Sequence, residues 1–417
     1  MISTYRGLAM GVFEKASEIG TREAFLKARI KSRKESTGEI EEIRAYILSD
    51  RCVRDIDRLR EGDYFLDFPR YRLIPKNFQD KKRAIYIFDG EQGQLIRLLA
   101  YAIRGLEGTI FSDRLFSFRS DKSAKDLLHE VVENKEIGNM YILKSDVSNY
   151  VGSIVPALII PMLEDIFMPD DPAFFRFLEW LLSRNMVRNV DGKLIEHCPG
   201  GLGGVALGNL FMNIYLHEMD EYFAPRAAFY SRYSDDILIC ARTYDEIKEY
   251  ERRFHGFLDK LKLSTNNEKT MIVLPGEAFD FLGMEICGSR IRISEHSMLK
   301  IKRKLRLFTY RALRRRNNGE ISPDEAAREL ISGFNRSFFG NRGSKHGMTW
   351  ARWAFPVITD TSSLKEIDHY FQDSIRYVLY GSMKKRNRRI SYEKLSELGY
   401  RSLVYYYYHL DEIEGIA

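Results

Sequence analysis

Three observations on the sequence predict an α+β fold. Between about residues 70 and 290, short apolar runs rich in Ile, Leu, Phe and Tyr alternate with amphipathic stretches. The segments on either side carry Glu, Lys, Arg, Ala and Leu at helical spacing. No internal repeat or low-complexity segment interrupts either pattern. A mixed strand-and-helix centre between helical flanks is the α+β layout. At 417 residues and 44% hydrophobic content, the chain can hold two or three lobes, each with its own core.

Taken in order, the spacing predicts helices over Thr21–Arg60. Arg72–Phe88, RLIPKNFQDKKRAIYIF, predicts a hairpin: a strand, a polar turn and an alternating strand. Gln92–Arg104 returns to helix. Met140–Ser145 is a compact apolar run ending at Asp146, which predicts a buried strand. Pro161–Met186 predicts one helix, and Pro199–Gly204 a Gly-rich turn opening into another that runs to Tyr222. Phe229–Arg242, FYSRYSDDILICAR, predicts two strands around an acidic turn. Tyr244–Leu261 is a charged amphipathic helix, and Met271–Cys287 predicts two further strands. After Ser297 the pattern is mostly helical.

A net charge of +6 points to a polyanionic partner. No apolar run reaches the roughly 18 residues of a membrane-spanning helix, so no membrane partner is expected. The run Leu8–Phe13 is short, is followed by Glu14 and Lys15, and does not read as a secretory leader. Cys52, Cys198, Cys240 and Cys287 form no C-x-x-C pair, which argues against a zinc site and suits a cytoplasmic protein with free thiols. No G-x-S-x-G or G-x-G-x-x-G stands in a strand–turn–helix context, so hydrolase and dinucleotide-binding readings have no support.

The chemistry concentrates in Tyr233-Ser234-Asp235-Asp236, set between Phe229-Tyr230 and Ile237-Leu238-Ile239. Adjacent carboxylates inside an apolar strand pattern are costly to bury, although a solvated hairpin turn would also accept them. Asp146 closes an apolar strand 89 positions earlier. Three such carboxylates repel one another unless a cation joins them. Transfer of a nucleotide from its triphosphate uses two divalent ions, and Mg²⁺, or Mn²⁺ in its place, prefers carboxylate oxygens.

Seven segments, in order from about Leu73 to Ile286, resemble the reverse transcriptase palm and fingers. LKSDVSNYVGSI (143–154) looks like the first acidic motif. PGGLGGVALGNLFMNIYL (199–216) is similar to the Gly-rich template–nucleotide motif, anchored by Asn213-Ile214-Tyr215-Leu216. YSRYSDDILI (230–239) matches the Y-x-D-D hairpin, LKLSTNNEKT (261–270) the loop that follows, and FDFLGMEI (279–286) the F-L-G primer grip. DKKRAIYI (80–87) resembles the fingers hairpin and LFSFR (115–119) its companion.

The resemblance implies a right-hand polymerase. A helical extension would span 1–70, fingers 71–139, a palm 140–290 with fingers helices inserted near 156–198, and a helical thumb with the C-terminal region 291–417. It implies that Asp146, Asp235 and Asp236 are catalytic, and that they hold two metal ions with the carbonyl of Val147. Lys82, Arg83 and Lys269 would meet the triphosphate, and Phe281, Leu282 and Gly283 the primer end. The sugar-discriminating aromatic of the family falls on Val151, so exclusion of ribonucleotides depends on Tyr150 just before it. The usual glutamine of the Gly-rich motif becomes Gly203, followed by Gly204, which lets the backbone approach a base pair. These departures mark a divergent branch.

Ser297–Arg316 carries nine basic residues and no acidic one: Lys300, Lys302, Arg303, Lys304, Arg306, Arg311, Arg314, Arg315 and Arg316. It reads as a thumb helix laid along phosphates. Residues 384–389, KKRNRR, form a weaker patch, and Tyr405–Tyr408 reads as helix packing with one or two exposed rings. The tail resembles that of bacterial defence-associated reverse transcriptases of the "unknown group", relatives of retron and group II intron enzymes. This implies an RNA-directed DNA polymerase that uses dNTPs and a host non-coding RNA template, makes a DNA product and acts against phage. A retron-type or template-independent polymerase, and a catalytically inactive RNA-binding scaffold, are the alternatives. Oligomeric state and priming mode are not legible.

Overall fold

The structure, a computed structural model, describes residues 10–32, 37–75, 82–104, 107–340, 350–381 and 390–409. The chain divides into two compact units, residues 1–127 with 140–274, and residues 128–139 with 275–417.

The first unit begins with α1 (Val12–Ser17), α2 (Ile19–Ser32), α3 (Thr37–Ile47) and α4 (Asp50–Glu61). Ser49 starts α4 by accepting the Cys52 N–H, and Gly62 ends it in the left-handed region at φ 91°. The expected hairpin follows: β1 (Arg70–Pro75) and β2 (Lys82–Ile87) pair antiparallel, Arg70 opposite Ile87. Its tip, 76–81, lies outside the described residues. Then come α5 (Gly90–Ala102), α6 (Glu107–Ile110) and α7 (Ala124–Glu133), whose residues from 128 on are assigned to the second unit.

After β3 (Tyr141–Asp146), the helix expected over Pro161–Met186 is in fact two, α8 (Pro156–Phe167) and α9 (Pro172–Leu182). Asp171 imposes the break. One of its oxygens caps α9 by accepting the Phe174 N–H at 3.1 Å, and the other accepts the Val12 N–H at 2.6 Å, tying α1 to α9. Pro172 fits the first helical turn, where its missing N–H costs nothing.

Two strands follow that the sequence reading missed, β4 (Met186–Arg188) and β5 (Leu194–Glu196). They extend the β1–β2 hairpin into a sheet of order β2-β1-β4-β5. Three-residue strands contain too few alternations to announce themselves. The helix expected up to Tyr222 is also two, α10 (Gly208–Tyr215) and α11 (His217–Phe223). Buried Leu216 leaves helical geometry at φ −108°, ψ 11°, and the bend turns Asp220 inward.

β6 (Phe229–Tyr233), β7 (Asp236–Ala241), α12 (Tyr244–Lys260) and β8 (Met271–Val273) complete this unit. Thr243 and Glu246 form a capping box at the start of α12. The central sheet has the order β6-β7-β3-β8, antiparallel throughout. Leu143, Ile237, Ile239, Ile214 and Phe254 belong to the core beneath it.

The second unit opens on β9 (Phe279–Phe281), β10 (Met284–Cys287) and β11 (Arg290–Ile293), in sheet order β11-β10-β9. Met271–Cys287 thus holds three strands rather than two, because the Leu282-Gly283 turn separates β9 from β10 as the Pro275-Gly276 turn separates β8 from β9. Helices α13 (Glu295–Asn317), α14 (Pro323–Phe339), α15 (Trp350–Ala354), α16 (Ser362–Tyr380), α17 (Tyr392–Glu397) and α18 (Leu403–Tyr408) follow. Leu305, Leu330, Phe334, Phe371 and Ile375 are buried where α13, α14 and α16 pack together.

In α18, Tyr406 is buried, the Tyr407 hydroxyl donates to the Ile358 carbonyl at 2.7 Å, and Tyr408 is exposed, which is the helix packing expected. The basic patch at 384–389 lies outside the described residues. All four cysteines are unpaired. Among the described residues no helix is long and apolar enough to cross a membrane.

Candidate active site

Strand register builds the acidic centre. β3 and β7 pair antiparallel with Asp146 directly opposite Asp236, and side chains so placed have Cβ atoms about 4.5–5.5 Å apart. Asp235 sits in the two-residue loop between β6 and β7, closed by the Tyr233–Asp236 pair. Ser234 takes φ 61° while Asp235 stays at negative φ, the type II′ pattern that matches strand twist.

The chain after β3 is clamped from both sides. The Val147 N–H donates to the Asp235 carbonyl at 3.1 Å; on the other side, the Ser148 N–H donates to Ser264 and the Asn266 N–H to Asp146, each at 2.8 Å. In extended backbone a residue's N–H and C=O point the same way. The Val147 carbonyl therefore faces the Asp235 side.

The carboxylates shift one another. Burial, then the charges of Asp235 and Asp146, push the Asp236 carboxyl up to about 7, against the pull of Lys269 and Lys144. Burial and the Asp146 charge also raise Asp235. The Lys269 ammonium contacts Asp146 Oδ2. Burial disfavours its charge, but Asp146, Asp236 and Asp235 together raise its pKa. A lysine drawn in this way, and carboxyls that resist ionising together, are what an acidic centre built for a cation shows. Among the described residues, no three His, Cys, Asp or Glu side chains converge into a closed metal cage. An open pair of carboxylates suits Mg²⁺, which completes its shell with phosphate oxygens and water.

A pH dependence follows. Asp236 keeps its proton to about pH 7 in the fold, against 3.8 ordinarily. The folded state binds more protons between those values, so this group's contribution to stability falls as pH rises through the window and the loss is complete above about 7. In EDTA, the melting temperature of the parent should fall relative to Asp236→Asn as pH is raised from about 5 to about 8. Parallel curves would refute the raised carboxyl.

Behind the turn lies a feature the sequence reading missed. Arg232 and Asp220 are an ion pair with both side chains fully buried. Arg232 Nε donates to Asp220 Oδ1 at 2.8 Å, Nη2 donates to the Asn213 carbonyl at 3.0 Å, and Nη1 donates to the Ser234 carbonyl at 3.4 Å. The Tyr230 hydroxyl also donates to Asp220 Oδ1 at 2.6 Å. Asn213 in turn donates to the Ser117 carbonyl at 3.0 Å, and the backbone of Arg232 bonds to Arg114 and Phe116. Arg232 thus joins the acidic turn and the Gly-rich motif through its guanidinium, and the LFSFR segment through its backbone. Its signal was a lone charge in the otherwise apolar strand FYSRY.

The nucleotide-side residues divide. Tyr150 is a correction: it is buried, and its hydroxyl donates to the Met212 carbonyl, so it supports the core and cannot stand over a sugar. Val151 instead lies against the Gly-rich turn. A Cβ on Gly203 would sit 3.2 Å from Val151 Cγ1 and 3.4 Å from the Ala84 carbonyl, and the Tyr86 N–H donates to the Gly203 carbonyl at 2.8 Å. Gly204 adopts φ 92°, and a Cβ there would lie 3.2 Å from Ile85 Cβ. The positive φ favours glycine at 204, while at 203 a side chain would require Val151 or the Ala84 carbonyl to give by a few tenths of an ångström. Lys82 and Arg83 are exposed on β2, and Arg83 shares a strand face with Ile85.

Phe281, Leu282 and Gly283 belong to the second unit, where Leu282 (φ 48°) and Gly283 (φ 81°) form the β9–β10 turn. The basic residues of α13 are in that unit too and are not equivalent. Lys302 pairs with Glu366, and Arg315 with Glu320 and Glu329. Arg316 is half-buried, with its Nη1 enclosed and close enough that a Cβ on Gly381 would lie 3.0 Å away. Lys300, Arg303, Lys304, Arg306, Arg311 and Arg314 lie on the exposed side, among the exposed Leu299, Leu307 and Tyr310.

The chain is similar to several known proteins. The chain is 22% identical over 304 residues to Protein YkfC of Escherichia coli (strain K12), covering 62% of this chain and 78% of that protein. Among solved structures, it is similar to the apo telomerase of Candida tropicalis, with 13% identity, a TM-score of 0.43, and 80% of this chain and 68% of the other covered. Candida albicans telomerase in complex with a fragment of telomeric RNA gives 12% identity and a TM-score of 0.42, with 81% and 67% covered. The chain spans about half, 55%, of a C-terminally truncated C. tropicalis telomerase, at 14% identity and a TM-score of 0.41, with 54% of this chain covered. The family model for reverse transcriptase (RNA-dependent DNA polymerase) matches residues 74–286, just over half of the chain, and takes in the acidic centre, the Gly-rich turn and β2. The chain belongs to the reverse transcriptase family, the RNA-dependent DNA polymerases.

Proposed function

We propose that this chain extends a primer 3′-hydroxyl along an RNA template, with Asp146, Asp235 and Asp236 as its catalytic carboxylates. The observation that carries this reading is the register that sets Asp146 opposite Asp236 at the acidic turn. Asp146, Asp235 and the Val147 carbonyl would hold two divalent cations, with Asp236 as the third acid. Those ions, Mg²⁺ or Mn²⁺, would supply an activated hydroxyl and charge neutralisation at the pyrophosphate. Lys269 presents a cation beside the same carboxylates, and Arg83 and Lys82 bring donors from the fingers hairpin to the triphosphate. β1 and β2 serve as fingers, β3 and β6–β8 as palm, Phe281–Gly283 as primer grip, and α13, α14 and α16 as thumb.

With Tyr150 removed from the sugar-facing role, Val151 alone stands where the family uses an aromatic. Val151→Phe is expected to raise selectivity for dNTPs over ribonucleotides about tenfold or more, on the order of 1–3 kcal/mol of added discrimination. Competitive incorporation by parent and variant is the measurement, and negligible ribonucleotide use by the parent would refute it.

The helical tail and the departures at Val151 and Gly203 support a place in the defence-associated branch, with a host non-coding RNA as template and a role against phage. The test is to purify the protein from its host, sequence the RNA and new DNA that accompany it, and assay strand extension. Extension should need Mg²⁺, stop in EDTA and copy the bound RNA. Absence of extension on every template, the bound RNA included, would overturn the reading. DNA that matches no template would favour the template-independent alternative.

A further inference from the structure

Tyr86 of β2 holds the Gly-rich segment at two points. Its N–H donates to the Gly203 carbonyl at 2.8 Å. Its hydroxyl shares a hydrogen bond of 2.8 Å with His197 Nε2, at the entrance to the same segment. Tyr71 stands directly opposite Tyr86 on β1 and covers both rings, with its centroid 5.7 Å from that of Tyr86 and 4.6 Å from that of His197. The His197 N–H donates to the Asn185 carbonyl at 2.7 Å, so the backbone that carries the imidazole is fixed as well. Burial, then Tyr71 and Cys198, push the Tyr86 hydroxyl up to about 12, which keeps it protonated near neutral pH.

The segment between the two grips is wedged. On one side the Gly201 N–H donates to the Val151 carbonyl at 2.9 Å, and Gly200 takes φ 56° where a Cβ would lie 2.8 Å from the Gly152 carbonyl. On the other side it meets Ala84, Ile85 and Tyr86 of β2. Tyr86 therefore sets the spacing between two groups of residues assigned to the nucleotide, Lys82 and Arg83 on β2 and Val151 with Gly203 and Gly204 across from them. All of these lie in the first unit. Ring packing tolerates small slides, whereas the bond between hydroxyl and imidazole is directional and fixes the register.

We infer that Tyr86 and His197 are positioning residues, whose hydrogen bond holds the Gly-rich turn against β2 in the geometry the incoming nucleotide needs. This deepens the nucleotide role proposed for that turn and rests on it. Both act through Gly203 and Val151 rather than on the substrate.

The test is single-turnover incorporation by full-length protein at varied dNTP concentration, which separates apparent nucleotide affinity from maximal rate. Tyr86→Phe keeps the ring and the backbone bond and removes the hydroxyl alone. It should weaken apparent dNTP affinity about three- to tenfold, the scale of one lost hydrogen bond, and leave the maximal rate within about twofold. His197→Ala should lose at least as much affinity, and the double variant no more than His197→Ala, because one interaction is removed in each. His197→Gln places an amide nitrogen at the reach of Nε2 and should restore most of the affinity. Melting curves on the same preparations check that the fold is kept. Additive losses in the double variant would show two separate roles and overturn the inference. A lowered melting temperature with dNTP affinity unchanged would reduce the pair to a packing contact and overturn it too. No incorporation by the parent would remove the nucleotide role of the turn and this inference with it.

Discussion

Replacing Asp235 and Asp236 together with alanine should reduce nucleotide incorporation by a factor on the order of 10³ or more, the scale on which preorganised transition-state electrostatics act. The fold should survive. Burial holds the Asp236 carboxyl near pH 7 and raises Asp235 as well, so both cost the metal-free fold free energy when ionised. The double variant should therefore melt at or above the parent temperature in EDTA near neutral pH. RNA affinity should be unchanged, since the basic residues assigned to binding lie in the second unit. Single-turnover incorporation, melting and RNA binding measured on one preparation separate the outcomes. Retained incorporation would end the catalytic assignment. A collapsed melting temperature would show that the carboxylates are structural.

The acidic centre was legible in the sequence because strand chemistry announces itself locally. Asp146 ends a run of apolar residues, and Asp235-Asp236 interrupts another. Pairing the two strands then needed only the order of segments. Tyr150 was misread because counting from Asp146 cannot tell which of two adjacent residues points inward. The short helical turn that follows, at residues 150–153, sends the ring into the core and leaves Val151 against the Gly-rich turn. Arg316 is less exposed than its neighbours for a related reason. A run of three arginines looks uniform in sequence, but residues on a helix lie 100° apart, and this one falls on the face that carries Leu305, Thr309 and Ala312.

The buried pair behind the turn should give the largest stability effect. Asp220→Ala leaves the Arg232 guanidinium fully enclosed without its carboxylate, a loss on the order of 3–5 kcal/mol. Asp220 also accepts from the Tyr230 hydroxyl, so that donor is stranded as well. Arg232→Met alone should be comparably harmful, since it leaves the carboxylate enclosed. The double variant, Asp220→Leu with Arg232→Met, should recover the part of the loss that comes from the unpaired charge, while the Tyr230 hydroxyl stays stranded. A double-mutant cycle in denaturant would measure the coupling.

Recovered stability need not bring back activity. Arg232 donates to the Ser234 and Asn213 carbonyls, so a well-packed apolar pair would keep the core while releasing the acidic turn from its anchor. Incorporation should then stay about tenfold or more below the parent, on the scale of the loss that follows a misplaced catalytic group. A double variant that regains both stability and rate would show that the strand pairing of Asp146 with Asp236 positions the carboxylates unaided. One that regains stability alone would identify Arg232 as a positioning residue for the turn.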